Sequence, residues 1–548
     1  MKFNLSETSK NTFGWITFLF WCTITLVLLF AHEPWRDELQ SYLLTKKLSL
    51  PALFEQMKYE GHFLLWYILL KIPVLMNVPV ELCNISAWLL TVPAVYYILF
   101  CSKLDPLLKV ITVFSAPFLY WYSIFARCYS PIPLLLAGIA LLYPARKKHF
   151  ILYGILISLL ANTHVYMEGL VLFLFLELLY SFRKERSNAD NISAGQLKDS
   201  LPFLYSAAII FSGVLFAFLT VVRAVFLSDA SAVTSSPWEK ILPVCMNFAY
   251  LLYPLSKIFT PHLSSSFIEY FYTGGTFFCM ILFIYLFRKE RRMYLPAAGL
   301  LLLSVLFICI FPGKSHWLRA AVYLLFLPGI LFSRNSFIIT GFLFAVLWQF
   351  LFAVSVHGFI IPQRGLLPFL ICLFLYILTV NTAEKEKKDN SFIRKYLIIY
   401  FLFTLPGTLA IVFADLILPY SGYTSCKDFL RKNVSEKTII CVWKTEDASS
   451  LLSAMLPNRF YALDSKKFLS FHPHNFKESD FTDPLETLNK SDIQKKVIIL
   501  SAAGRKEEEM EKYISTGKYI YTKVFCNKMN SIDPFERYVI YIQEKKEK

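Results

Sequence analysis

The chain has 548 residues, 56% of them hydrophobic and only 17% charged, with a mean hydropathy of +0.51. No soluble protein of this length needs so much apolar surface, and the alternation of a β-barrel is absent, so the sequence predicts a polytopic α-helical membrane protein. The net charge of +16 is no nucleic-acid footprint, because the basic residues gather in short loops: Lys103 to Lys109, Arg146 to Lys148, Arg183 to Arg186, Arg288 to Arg292 and Lys385 to Lys388.

The first apolar run covers about 12–31. It is long enough to cross a ~30 Å hydrocarbon core at about 1.5 Å per helical residue. It lacks a small-residue cleavage site and reads as an uncleaved anchor. Directly after it comes Ala31-His32-Glu33-Pro34-Trp35-Arg36-Asp37-Glu38-Leu39-Gln40. The acid pair Asp37-Glu38 stands where lipid gives way to water. Partial desolvation there raises a carboxylate pKa, which makes such an acid a candidate general base for a substrate that is itself part lipid. A pair of acids at a helix start, favoured by the helix dipole, is the plainer alternative.

Residues 62–79 are apolar but carry Lys71 and Pro73, which makes them an interfacial helix rather than a span. Further apolar runs cover roughly 84–102, 110–125, 131–143, 150–162, 167–182, 202–222, 267–287, 294–311, 317–333, 337–356, 365–381 and 395–418. Short basic loops mark the cytoplasmic side. With Lys2 and Lys10 inside, every basic loop falls inside if 62–79 does not cross. The count is then about thirteen transmembrane helices, with the N-terminus cytoplasmic and the C-terminus outside. On this topology Asp37, Glu38, His62, Arg127, His164, Glu168, Arg223, His262, His316, Arg319, His357 and Arg364 all lie near outward ends. Ionisable groups gathered on one face suggest a single outward cavity.

The constellations themselves are short. Glu60-Gly61-His62 opens the interfacial run, where the imidazole could meet a phosphate; an aromatic belt with an incidental histidine is the alternative. Ala126-Arg127-Cys128-Tyr129-Ser130-Pro131 offers a guanidinium that can fork onto phosphate oxygens, or simply snorkel to headgroups. His164 and Glu168 are four apart and share a face if one helix runs through both. Lys314, His316 and Arg319 form a cationic cluster suited to phosphate or to interfacial anchoring. The eleven cysteines show no CxxC or Cys/His metal spacing, and His472 and His474 alone are too few for a metal, so no metal ligands are assigned; a divalent metal is open but unsupported by the sequence.

Beyond about residue 420 the apolar runs shorten to strand length: Thr438 to Trp443, Lys496 to Leu500 and Tyr538 to Ile542. A small extracytoplasmic α/β domain over 420–548 is predicted, behind a membrane domain over 1–419 with outer segments at 32–83 and 223–266.

Taken together, Asp37-Glu38 after the first crossing, Glu60 to Tyr67 on the interfacial helix and Ala126 to Pro131 resemble the C-type glycosyltransferase (GT-C) superfamily, which includes protein O-mannosyltransferases and the bacterial aminoarabinose transferase. The resemblance covers roughly 10–330. The long segment 223–266 and an outer α/β domain behind thirteen crossings also fit the aminoarabinose transferase arrangement. Phe63 stands where Pro is common in the family, and no second acid occurs at Ser130 to Pro133, where several members have one.

The resemblance implies a bacterial inner-membrane enzyme that moves a sugar from a polyprenyl-phosphate carrier to a hydroxyl acceptor on lipid, glycan or protein, with no cofactor required. Asp37 would take the acceptor proton and Glu38 would orient the loop or the sugar. His62, Arg127, Tyr129, His164, Glu168, His316 and Arg319 would contact substrate. Direct displacement through an oxocarbenium-like state inverts the anomeric centre. A transporter or flippase of lipid-linked saccharides is the rival, but it predicts mid-bilayer charges, broken helices and internal repeats, and the charges here gather at one face.

Overall fold

A computed structural model describes residues 7–187, 195–226, 335–352, 366–382, 390–443, 456–469, 497–501, 508, 510–512, 520–526 and 538–544. His316, Arg319 and nearly all of the long segment 223–266 lie outside the described residues, as do the apolar runs 267–287, 294–311 and 317–333.

The protein is a polytopic helical membrane protein. Five described stretches are long and apolar enough to cross a bilayer: Asn11–Ala31, Val80–Cys101, Val165–Lys184, Leu201–Val221 and Ser391–Ile417. Shorter apolar helices lie between them. In chain order the helices are α1 (Glu7–Ala31), α2 (Arg36–Lys47), α3 (Leu50–Glu60), α4 (Leu65–Leu75), α5 (Ile85–Tyr96), α6 (Pro106–Val113), α7 (Pro131–Leu142), α8 (Phe150–Ala161), α9 (Glu168–Ser187), α10 (Gly195–Phe226), α11 (Ser336–Phe352), α12 (Leu367–Thr382), α13 (Asn390–Ile417) and α14 (Tyr423–Asn433).

Helices in lipid gain little from the hydrophobic effect against one another, so close approach depends on small residues and polar contacts. The α8–α10 pair shows both. A Cβ on Gly154 would press on Ser206, and one on Gly213 would land on the side chain of Ser158. The Asn162 amide at the end of α8 donates to the Gly213 carbonyl at 2.9 Å. The α1–α5 contact is bridged by the Trp88 indole, which donates to Thr25 Oγ1 at 2.9 Å, and by Asn84, which donates to the Leu29 carbonyl at 2.9 Å. Asp105 caps α6 through the Leu108 N–H at 3.3 Å and takes a two-pronged bond from Arg394 of α13, at 2.6 and 3.0 Å.

Two apolar runs resolve into broken pieces. The run 110–125 is not one helix: α6 ends at Val113, and Pro117 opens a separate wide turn over Pro117–Trp121. Proline has no N–H to continue the ladder. In the run 62–79 the helix is only α4. Lys71 bends back to donate to the Thr45 carbonyl at 2.5 Å and the Leu48 carbonyl at 3.0 Å, which satisfies orphan carbonyls at the C-terminal end of α2. A charge within an apolar run is accounted for by those two contacts.

Past α14 the described residues form a six-stranded sheet: β1 (Ile440–Val442), β2 (Phe460–Ala462), β3 (Lys467–Leu469), β4 (Val497–Ser501), β5 (Ile520–Cys526) and β6 (Tyr538–Glu544), in the order β3-β2-β1-β4-β6-β5. β1 runs parallel to β2 and β4, with Ile440 opposite Phe460 and Val497; the outer pairings are antiparallel. The central strand is buried along its whole length, as a short uninterrupted apolar run requires. The strand-length segments read from sequence, 438–443, 496–500 and 538–542, coincide with β1, β4 and β6.

Candidate active site

The site begins where α1 stops. Pro34 cannot extend the helix, and Trp35 takes an extended conformation (φ −98°, ψ 175°) before α2. Glu38, at the third position of α2, reaches back to accept the Trp35 N–H at 3.0 Å. That is half of a capping box. The same carboxylate accepts the Ala126 N–H, so it fastens the segment before α2 to the Phe125–Ser130 turns. Glu38 is completely buried.

Adjacent residues on a helix point about 100° apart. Asp37 therefore leaves the core that Glu38 enters. Its side chain is 31% exposed, and Oδ2 stands 3.0 Å from Arg127 Nη1. Arg36 Nε is a looser neighbour of the same carboxylate at 3.6 Å. The guanidinium of Arg127 is nearly buried and lies over the Trp35 ring, 5.7 Å from its centroid. Its Nη2 donates to His62 Nε2 at 3.4 Å. Burial on its own would lower the pKa of Arg127, but Asp37 holds it up and the charge persists.

His62 reaches this point through a chain reversal. Gly61 ends α3 in the left-handed region (φ 69°), which a Cβ disfavours. Glu60 stands just before it. Burial pushes its carboxyl up to about 8, with Gln56 and Gln40 bonds opposing the rise and the nearby Asp37 charge adding to it. On the other side of His62, Nδ1 faces Cys128 Sγ at 3.9 Å. Tyr129, the next residue, meets His164 Nε2 through its hydroxyl at 3.2 Å. The structure thus brings Asp37, His62, Arg127, Tyr129 and His164 into one linked cluster.

Glu168 does not join it by any contact among the described residues. His164 is extended (φ −158°, ψ 140°) and caps the single turn Val165–Met167 by accepting the Tyr166 N–H at 3.1 Å. The helix that would put His164 and Glu168 on one face starts only at Glu168 itself. Glu168 is buried, and its Oε1 has no hydrogen-bond partner among the described residues.

Beneath the cluster lies a buried polar network that sequence reasoning missed. His32 donates from Nδ1 to Asp415 Oδ2 at 2.7 Å and from Nε2 to Glu38 Oε2 at 3.2 Å. The Tyr120 hydroxyl donates to the same Asp415 oxygen at 2.8 Å. The His32 ring packs on Phe125 and Tyr420, with centroids 4.6 and 5.2 Å away. Burial works to lower the His32 pKa, but the two flanking carboxylates outweigh it and raise the value to about 10. The signal for this network was a lone acid, Asp415, inside an apolar run.

A linked expectation concerns pH. The raised His32 value means that its stabilising charge is fully present below about pH 6.5 and is lost as pH climbs through about 10. Glu38, Asp415, Tyr120, Tyr420 and the neighbouring Glu33 are the groups that face the ring. Thermal unfolding of the wild type should show a loss of stability between pH 7 and 10 that His32→Gln lacks. Parallel curves for the two proteins would show that the ring carries no charge.

No protein-family model matches the sequence, and no curated protein matches it. Among solved structures, the chain is similar to the crystal structure of ArnT from Cupriavidus metallidurans bound to undecaprenyl phosphate, at 10% sequence identity, with 96% of this chain and 98% of that chain covered and a TM-score of 0.42.

Proposed function

We propose that this protein transfers a sugar from a polyprenyl-phosphate carrier to a hydroxyl acceptor at the outer face of a bacterial inner membrane. The observation that carries the reading is the pairing of a partly open Asp37 with a buried, charged Arg127 at the end of the first apolar helix. One group can take a proton and the other can neutralise a phosphate, and they are adjacent.

In the proposed reaction the acceptor oxygen attacks the anomeric carbon while the bond to the carrier phosphate breaks. The acceptor proton goes to Asp37, and the phosphate leaves on the lipid. Negative charge grows on that phosphate, next to Arg127 and His62. Displacement in one step inverts the anomeric centre and needs no covalent enzyme intermediate. Glu38 is sealed from solvent and shapes the loop rather than touching the sugar. Tyr129 and His164 extend the polar wall on the side away from Asp37. Glu168, His316 and Arg319 remain substrate-contact candidates from the sequence. The 420–548 segment, with its sheet, is proposed to lie on the outer side and to cover or feed the site.

The test is incubation of the purified full chain with a panel of polyprenyl-phosphate sugars, with release of bare carrier phosphate as readout. Arg127→Lys should raise the donor KM more than it changes the acceptor KM, because lysine keeps the charge but not the fork. Carrier that crosses vesicle membranes without losing its sugar would replace this reading with transport.

A further inference from the structure

His62, Cys128 and His164 come from three separate stretches of the chain, yet one ligand atom from each lies within 4.8 Å of the other two. Cys128 and His164 are buried and His62 is partly so. The sequence has no metal spacing here. The convergence is made by the Gly61 reversal, the Phe125–Ser130 turns and the break between α8 and α9. We propose that these three side chains bind a zinc ion through one thiolate and two imidazoles, leaving a fourth coordination position open.

The geometry is close to what zinc demands. With Zn–S about 2.3 Å and Zn–N about 2.0–2.1 Å, tetrahedral angles put a nitrogen and a sulfur ligand about 3.6 Å apart. His62 Nδ1 and Cys128 Sγ are 3.9 Å apart. The ligand atoms already lie within 4.8 Å of one another, and His62 is the one of the three that is only partly buried.

The hydrogen bonds decide which atoms ligate and what binding displaces. His62 Nε2 accepts from Arg127 at 3.4 Å, so Nδ1 holds the ring proton and faces the sulfur. His164 Nδ1 accepts from the Tyr166 N–H at 3.1 Å, so Nε2 holds its proton and faces the Tyr129 hydroxyl at 3.2 Å. Zinc would take His62 Nδ1, His164 Nε2 and Cys128 Sγ. Each ring proton then moves to the other nitrogen, and the Cys128 proton is released to solvent. Both rings stay neutral, and binding frees one proton per ion. Arg127 has Asp37 as a second acceptor at 3.0 Å, so it can give up His62. Tyr166 N–H loses its acceptor, which weakens the site without removing its three dative bonds. The charges also agree: the thiolate offsets half of Zn²⁺, and Asp37 offsets Arg127.

A soft sulfur with two imidazoles selects zinc over magnesium or calcium. Three protein ligands with an open fourth position is the pattern of zinc sites that admit water or an anionic oxygen. Binding of the ion stands on the geometry alone. A part for that fourth position in holding the donor phosphate rests on the transfer reading above.

The test uses the full chain in detergent, stripped with chelator and desalted. Zinc is added, excess is removed, and metal per chain is measured. One equivalent should be retained, and excess Mg²⁺ should not displace it. Co²⁺ in place of zinc should give a sulfur-to-cobalt charge-transfer band, which reports thiolate ligation in the unaltered protein. Cys128→Ser and His164→Ala should lower zinc affinity at least about tenfold, the loss that even an outer-shell partner causes. Wild-type protein that keeps no zinc, or a cobalt complex with no charge-transfer band, overturns the site. So does equal zinc retention by a folded Cys128→Ser protein. Zinc bound in a protein that transfers no sugar would sink the transfer reading and leave the metal site standing.

Discussion

Asp37→Asn should leave a protein that inserts and folds but transfers sugar about 10²–10⁴-fold more slowly, the range a positioned general base supplies. The substitution is nearly isosteric. The asparagine oxygen can still accept from Arg127 at the 3.0 Å position, so the guanidinium keeps one partner there as well as the Trp35 face. What is lost is the carboxylate that takes the acceptor proton. Arg127 is nearly buried, so removing the Asp37 charge takes away the carboxylate its guanidinium pairs with, and a lowered melting temperature should accompany the slower transfer. Single-turnover release of carrier phosphate in proteoliposomes, beside a melting curve, separates the two effects. Transfer near the wild-type rate would remove Asp37 from the chemistry.

Asp415→Ala should act in the opposite way, costing about 3–5 kcal/mol of stability, the usual penalty for breaking a buried ion pair from one side. The His32 imidazolium would keep Glu38 but lose its shorter partner, and the Tyr120 hydroxyl would lose its acceptor. All the atoms concerned are buried, so water cannot replace the missing oxygen without entering the core. Thermal melting in detergent, with Asp415→Asn as the milder companion, measures it. Asparagine should recover part of the loss, since its oxygen still accepts from both neighbours. An alanine protein as stable as wild type would mean that the network is ornamental to the fold.

That Asp37 and Glu38 open a helix just after the first apolar run was legible in sequence, but not that their side chains part. Periodicity places both acids at the start of a helix; only packing decides that Glu38 turns into the core while Asp37 stays at the surface. Lys71 and Pro73 were legible because a charge and a ring conflict with an apolar span in ways local chemistry makes plain. The strands at 440–442, 497–501 and 538–544 were legible as short apolar runs. The partner of His32 was not, since Asp415 lies 383 residues away and no local rule joins them. The His62–Cys128–His164 convergence was hidden for the same reason. The expected face shared by His164 and Glu168 failed on one dihedral pair, because the chain is extended at His164 and helical only from Glu168.

Glu33 sits one residue past His32, and its Oε1 accepts the Thr424 N–H at 2.8 Å, at the first turn of α14. Its other oxygen has no partner among the described residues, and burial pushes the carboxyl up from its ordinary value. Lys427, one turn further, faces Glu81 at 3.5 Å. A helix that leads into the sheet is thus moored by a residue four positions before Asp37. Cutting the chain at 419 would not trim an ornament: it would strand an acid in the interior and slacken the very bend that aims the neighbouring carboxylate.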